Sequence, residues 1–540
     1  MAWLIHDGGK VELAAGQTLF DHADRLQVKV PTSCRREGKC HECIVEIRQG
    51  MDALSARGAP ERFLGGGFRL ACQATVMTEN YDLELALPQR QPRILTKSVL
   101  PIEAAGPSVT RKGDGVFFGG QRIDDYRGRI LGLAIDVGTT TVALNLADLE
   151  SADVLYTASF ENPQRFGGSD IMNRISYDGG PFRGELQKAI VAAVNFEIGE
   201  IAAQLKIRRR QIYEVVVVGN ATMRDLFFGM DVQPLGKKPY KSVVESEFLR
   251  GRRKTTSINR KARGLGLRVH PRANVYGGPL IASHVGADAA ADLLAIGIEE
   301  ASEPVMLLDV GTNTEIVVGT NQRMLAASCP AGPAFEGGEI SHGMPAYHGA
   351  VESVRIVNGG AVCTTIGALP PRGICGSGLV DLLAELRRNG RMNEVGRLDG
   401  GETHFQYCVE PPMAISRADI SALAQAKSAN YTGQYIVLRH FGLPLQGIAK
   451  LYLAGGFANF LDVDNAMAIG LIAEFPLERI VKVGNAALAG ATIMLFSEAK
   501  RRWMEAFTTN IEHIELETIP DFFDIFVEGC LFKPLIAEPL

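Results

Sequence analysis

Two near-copies of one short phrase constrain this chain more than anything else in it. Residues 131–146 read LGLAIDVGTTTVALNL, and residues 305–319 read VMLLDVGTNTEIVVG. Each is an apolar strand, then Asp-Val-Gly-Thr, then a second apolar strand. A buried strand ending in a small-residue turn exposes backbone N–H groups, and such groups can cradle phosphate. Asp136 and Asp309 stand beside those turns, where a carboxylate suits a hard cation such as Mg²⁺, directly or through water. The threonine hydroxyls add oxygen donors and acceptors. One copy alone reads best as an ordinary β-hairpin. Two copies, each opening a long α/β stretch, predict two lobes clamping one nucleotide.

A third phrase supports the clamp. Residues 451–460, LYLAGGFANF, run from an apolar strand into Gly455-Gly456-Phe457. Paired glycines let a backbone pass close to a flat ligand. This phrase resembles the adenosine-contacting motif of the superfamily of sugar kinases, actin and heat-shock chaperones, whose two phosphate motifs the Asp-Val-Gly-Thr phrases resemble. The resemblance covers roughly residues 130 to 540.

The N-terminal stretch carries different chemistry. Cys34, Cys40 and Cys43 lie in PTSCRREGKCHECIVEIRQG, and Cys72 in RLACQ, giving C-x5-C-x2-C, a 28-residue gap, then C. Four thiolates so spaced can hold zinc or an iron–sulfur cluster. Zinc sites usually show two short knuckles; here there is one tight pair, one cysteine upstream and one far downstream. That is close to the plant-type pattern C-x4-C-x2-C…C, with one extra residue in the first gap. Residues 1–90 therefore read as a [2Fe–2S] ferredoxin domain of β-grasp fold, with zinc or free thiols as the other readings. Around the cysteines, WLIHDGGKVELAAG reads as a hairpin turning at Asp7-Gly8-Gly9. Thr18 is placed to cap a short helix, CIVEI reads as a strand, and DLELALP as the strand that closes the sheet.

Composition limits the remaining choices. A chain of 540 residues has ample core for several domains. A net charge of −5 gives no sign of nucleic-acid binding, and Arg208-Arg209-Arg210 reads as a solvated helix end. No apolar run reaches the roughly 18–20 residues that span a bilayer, and no export signal is visible. Nine cysteines, an odd number, do not form an obvious disulfide framework. The expectation is a cytoplasmic protein without a membrane anchor.

Along the chain, residues 91–129 read as a linker. It is either a proline-rich tether that lets the first domain move or a small ordered set of strands. Residues 130–300 read as the first lobe. NPQRFGGSDIMNRI is a polar loop opening into a helix, and GELQKAIVAAVNFEIGEIAAQL an amphipathic helix. VVVVGNATMRDLFFG is a buried strand with Gly219-Asn220 turning into a helix, where Asn220 makes the turn or touches a phosphate. Asp288 caps a helix or meets a metal shell, capping being the better reading. Residues 301–540 read as the second lobe. SCPAGPAFEGGEISHGM, carrying Glu336, Glu339 and His342, is expected to face the cleft, with Cys329 as a buried structural thiol. Gly376-Ser377-Gly378 opens a helix whose N–H groups and dipole suit an anion. Lys427 lies on a further amphipathic helix, and Gly484-Asn485 precedes a small-residue one.

The combination of a plant-type ferredoxin with a nucleotide clamp, and the phrases NPQRFGGSDIMNRI, VVVVGNATM, DVGTNTEIVVG, SCPAGPAFEGG, ICGSGLVD and LAGGFANF, resembles the reductive activators of corrinoid-dependent methyltransferase systems nearly end to end. The resemblance implies cluster ligands at Cys34, Cys40, Cys43 and Cys72. It implies a first phosphate motif at Asp136, Gly138, Thr139, Thr140 and Thr141, a second at Asp309, Gly311, Thr312 and Asn313, and an adenosine motif at Gly455, Gly456 and Phe457. Thr314 stands where the usual signature has a second glycine. Implied cofactors are a [2Fe–2S] cluster, ATP and Mg²⁺. Implied partners are a corrinoid protein and an electron donor such as a flavin-dependent reductase, with a homodimer as the assembly. The implied activity is ATP-dependent return of Co(II) to Co(I), for example in O-demethylation. The alternatives are an activator of a radical dehydratase of the 2-hydroxyacyl-CoA type, a small-molecule kinase, and a non-enzymatic ATP-gated corrinoid chaperone.

Overall fold

The computed structural model describes residues 2–6, 8–87 and 106–535. Asp7 of the expected first turn and residues 91–105 of the expected linker lie outside them. The first unit is a five-stranded sheet. β1 (Trp3–His6) and β2 (Gly9–Glu12) form an antiparallel hairpin, and β3 (Ile44–Gln49) and β4 (Phe68–Leu70) a second antiparallel pair. β5 (Leu83–Ala86) lies between them, parallel to β1 and antiparallel to β3. DLELALP thus closes the sheet by joining the two pairs at its middle, with Leu83 and Leu85 buried. The helix Leu19–Arg25 starts at Thr18, whose hydroxyl accepts the Asp21 amide at 3.2 Å while the Asp21 carboxylate accepts the Thr18 amide at 2.9 Å. That reciprocal cap fixes the entry of the chain, and Leu19, Phe20 and Ala23 bury its inner face.

Residues 109–125 are ordered strands, the second of the two readings of the connector. β6 (Val109–Lys112), β7 (Gly115–Phe118) and β8 (Gln121–Asp125) form an antiparallel meander. It is bonded to the next unit, the Tyr213 hydroxyl donating to Asp124 at 3.0 Å.

Two six-stranded sheets then repeat one plan. In the first, β9 (Leu131–Val137), β10 (Thr141–Asp148) and β11 (Val154–Glu161) run antiparallel. β12 (Ile212–Val218) pairs parallel with β9, and β13 (Ile258–Lys261) and β14 (Asn274–Gly277) extend that side. β12 is buried along its whole length, as a strand covered on both faces must be. In the second, β15 (Val305–Val310), β16 (Thr314–Gly319) and β17 (Met324–Cys329) are the antiparallel trio. The small sheets β18 (Ala350–Val357) with β19 (Gly360–Thr365) and β20 (Gly373–Ile374), and β21 (His404–Cys408) with β22 (Met413–Ser416), are inserted before the plan resumes. β23 (Lys450–Ala454) and β24 (Ile480–Gly484) then add in parallel to β15, and β25 (Ile511–His513) pairs with β17.

The lobes are locked by a crossing. The helix Ala486–Phe496, wholly buried, packs back onto the first sheet, where a Cβ on Gly132 would stand 2.7 Å from Leu495. It also lies backbone to backbone on the helix Ala287–Ala295: a Cβ on Gly490 would collide with the Ala291 carbonyl. The fold is multidomain α/β, a ferredoxin-like unit followed by a two-lobed actin-like body.

Candidate functional site

One cavity between the lobes is lined by every motif residue implied in the three phrases: Asp136, Gly138, Thr139, Thr140 and Thr141; Asp309, Gly311, Thr312 and Asn313; Gly455, Gly456 and Phe457. The register explains the convergence. β9 turns into β10 with Val137 opposite Val142, and β15 into β16 with Val310 opposite Thr314, so each Asp-Val-Gly-Thr turn sits at the same edge of its sheet. A Cβ on Gly138 would stand 2.6 Å from the Thr141 carbonyl, so the first turn tolerates no side chain there. Gly455 has φ +91, and a Cβ on it would stand 2.6 Å from the Val310 carbonyl and 2.8 Å from Asp309 Oδ1. The third phrase therefore presses on the second turn, as only a left-handed glycine can.

The open readings resolve as follows. Asn220 makes the turn: it caps the helix Ala221–Phe227 by accepting the Met223 amide at 2.9 Å, and its side-chain amide donates to Thr139 Oγ1 at 3.1 Å on the cavity wall. Asp288 is not the N-cap, which is Gly286; its carboxylate accepts the Ala289 amide at 2.9 Å and faces the cavity. Of the glycine- and proline-rich loop, Glu336 lines the cavity and Glu339 and His342 do not. Cys375, Gly376 and Ser377 bring the start of the helix Gly376–Arg388 to the wall. Cys329 is buried where a Cβ on Gly433 would strike its sulfur, a packing position.

Several cavity residues carry no motif. Asn485 caps the crossing helix and donates to Asp136 Oδ2 at 2.9 Å. Glu315 is paired with Asp309 across β15 and β16. Glu336 accepts from Thr140 Oγ1 and Thr312 Oγ1, both at 2.8 Å, and so joins the two turns. Asp292 lies one helical turn beyond Asp288; its buried carboxylate meets no N–H donor and lies against that of Asp309. The spacing of Asp288 and Asp292 on one helical face is the one signal that could have disclosed the last of these.

The electrostatics follow from six carboxylates in one place. Burial, with the Asp288 and Asp309 charges adding to it against the Asn485 hydrogen bond, pushes Asp136 up to about 8. Burial and Asp309 raise Asp288 to about 7, and burial raises Asp309 to about 6. Asp292 and Glu315 are pushed well above the carboxylate range by burial and then by their acidic neighbours, and burial raises Glu336. Among the described residues no lysine or arginine lines this cavity. An anionic phosphate can enter it only with compensating positive charge.

The thiols form a second centre. Cys43 and Cys72 lie sulfur to sulfur at 3.4 Å, and the Cys40 thiol hydrogen-bonds that of Cys34. Among the described residues no three side chains of His, Cys, Asp or Glu converge as one metal ion requires. Two thiol pairs instead suit a binuclear cluster, which takes two thiolates on each iron. The loop is shaped for such a guest. Arg35, Arg36, Gly38 and His41 all have positive φ, from 56 to 71. Such turns aim backbone N–H groups inward. The hydrogen bond from Cys43, then those from Gln73 and the Gly38 amide, hold the Cys72 thiol down at about 6 against its burial. The structure thus brings Cys34, Cys40, Cys43 and Cys72 together in one loop region.

Thiol loop and cleft define an iron–sulfur protein built on a two-lobed ATPase fold. Residues 5–77 match the family model of the 2Fe-2S iron-sulfur cluster binding domain, residues 131–301 that of the RACo middle region, and residues 303–538 that of the C-terminal domain of RACo, the ASKHA domain. The chain is 31% identical over 449 residues to the corrinoid activation enzyme RamQ of Eubacterium limosum, covering 77% of this chain and 74% of the relative. It is 23% identical over 404 residues to the [Co(II) methylated amine-specific corrinoid protein] reductase of Methanosarcina barkeri, covering 68% and 70%. A solved structure of a reductive activator for corrinoid, iron-sulfur protein superposes with a TM-score of 0.69 at 26% identity over 99% of both chains. The chain belongs to the RACo family of reductive activators of corrinoid proteins.

Proposed function

We propose that the chain restores inactive Co(II) in a corrinoid protein to Co(I) by one-electron transfer coupled to ATP. One observation carries this reading: a paired-thiol loop and a two-lobed phosphate cleft are joined in one chain of this family. Cys34 and Cys40 are assigned to one iron of a [2Fe–2S] cluster, and Cys43 and Cys72 to the other. When bound there, the cluster supplies single electrons at a potential on the order of −400 mV. Co(II) gains the electron and becomes Co(I), and a low-potential donor such as a flavin-dependent reductase returns one electron per turnover.

For a one-electron step about 59 mV is a factor of ten in equilibrium. An uphill gap of about 100–200 mV is therefore a few kcal/mol, within reach of one ATP. The turns at Gly138–Thr141 and Gly311–Asn313 offer N–H groups to the phosphates, and Gly455, Gly456 and Phe457 receive the adenosine. Asp136, Asp309, Asp288 and Asp292 are assigned to the shell of a Mg²⁺ ion, whose charge would let a triphosphate enter an acidic cleft. Lobe closure and reopening about the nucleotide supply the coupling. Nine cysteines without a disulfide among them agree with a reducing compartment, and the cytoplasm is the proposed location. A homodimer is the proposed assembly.

The test mixes reconstituted protein, ATP–Mg²⁺, a low-potential reductant and a Co(II) corrinoid protein without oxygen. The visible spectrum should show Co(I) only when ATP is present. Equal Co(I) with and without ATP would sink the coupling.

A further inference from the structure

The ferredoxin unit is seated on the first lobe: the segment after β11 carries part of the seat, and Glu185, Glu200 and Arg268 pair with His41, Lys29 and Glu42 beside it. His41, between two of the cluster cysteines, pairs with Glu185 at 2.7 Å and stacks on Phe63 at 4.3 Å. Phe63 in turn meets Phe166 edge-on at 5.5 Å, and its carbonyl accepts the Tyr177 hydroxyl at 2.5 Å. Glu46, three residues past Cys43, faces Arg165 at 3.5 Å. Arg165, Phe166 and Tyr177 all belong to the segment that leaves β11. Its first residue, Asn162, is bonded to the first phosphate turn: its side chain donates to the Gly138 carbonyl and its amide to the Thr140 carbonyl, both at 2.8 Å.

The second lobe touches the same segment. Tyr347 lines the nucleotide cavity and hydrogen-bonds Glu161 across the cleft. Glu161 also faces Arg165 at 3.4 Å. Arg165 therefore stands between one carboxylate answerable to the second lobe and another on the ferredoxin sheet.

We infer that residues 162–177 are the element through which nucleotide occupancy controls the seating of the ferredoxin unit, with Arg165 as the positioning residue. The inference rests on the nucleotide reading of the cleft. Nucleotide in the cavity displaces Tyr347, Glu161 turns fully to Arg165, and Glu46 loses its partner. The His41 face of the cluster loop, now packed on the first lobe, is then released toward a second protein. Ion pairs of this exposure are individually weak, which suits a contact that must break in each cycle.

The test is amide hydrogen exchange on the full reconstituted chain, with and without a non-hydrolysable ATP analogue plus Mg²⁺, calorimetry reporting nucleotide binding separately. In the wild type, peptides covering 41–46 and 62–66 should exchange severalfold faster with nucleotide. Arg165→Ala should make them fast in both states while binding nucleotide within about twofold of wild type, and Arg165→Lys should restore part of the response. Glu46→Gln, altered on the other side of the contact, should copy Arg165→Ala. Nucleotide binding that leaves these peptides unmoved in the wild type, or a full response in Arg165→Ala and Glu46→Gln, overturns the inference. Absence of nucleotide binding overturns the reading of the cleft and this inference with it.

Discussion

Lys427 shows what a buried charge does in this chain. Its ammonium is enclosed, donating to the Leu531 carbonyl at 2.7 Å beside the rings of Tyr431 and Phe532, and burial pulls it down to about 7. The unfolded chain keeps that proton until about pH 10.4. Between those values the unfolded state binds more protons, so stability rises with pH from about 7 to about 10. Lys427→Met should make that rise less steep by up to about 1.4 kcal/mol per pH unit, read from urea titrations across the range. An unchanged slope would mean the amine is solvated. Asp292 gives a second residue-scale prediction. Asp292→Asn should raise the Mg²⁺ needed for half-maximal ATP hydrolysis by about 10- to 100-fold. At this scale the sequence discloses residues that sit in a repeated phrase or a spaced set. It does not disclose Glu336 as a bridge, or Tyr347, because each reaches the cavity through tertiary packing of a loop.

Elements were legible where one period ruled. The Thr18-capped helix, β12 and the two strand–turn–strand phrases announce themselves through a cap, a run of valines and a repeat. The strand in DLELALP is legible from its alternation, but its neighbours are not, because alternation reports which face is buried and not which strands it pairs with. The meander of residues 109–125 was hidden by short strands and glycines that read equally as slack chain. The crossing helix Ala486–Phe496 is apolar all round, so no stripe indicated which lobe it joins. Its glycine makes the crossing testable. Gly490→Ala forces a methyl into the Ala291 carbonyl and should cost about 1–3 kcal/mol in a thermal or urea melt. A neutral result would show that the two helices separate easily.

For the whole molecule, a ferredoxin unit and a phosphate clamp share one chain, and the fold brings them into contact. Reading that from the sequence depended on three motifs in order and four cysteines. The contact between the units depended on Phe63, Phe166, Tyr177 and Arg165, none of which has a spacing signal. On the proposed function, the electron passes from the Cys34–Cys72 centre to cobalt only when nucleotide is turned over. The direct measurement is a single turnover without oxygen. Protein is reduced beforehand and freed of reductant, then mixed with one equivalent of Co(II) corrinoid protein, with or without ATP–Mg²⁺. The reduced-cluster electron paramagnetic resonance signal and the Co(I) absorbance are followed together. The account predicts that the signal decays and Co(I) grows at one rate, with ATP alone. Equal Co(I) in the absence of nucleotide, or Co(I) formed while the cluster stays reduced, would contradict it.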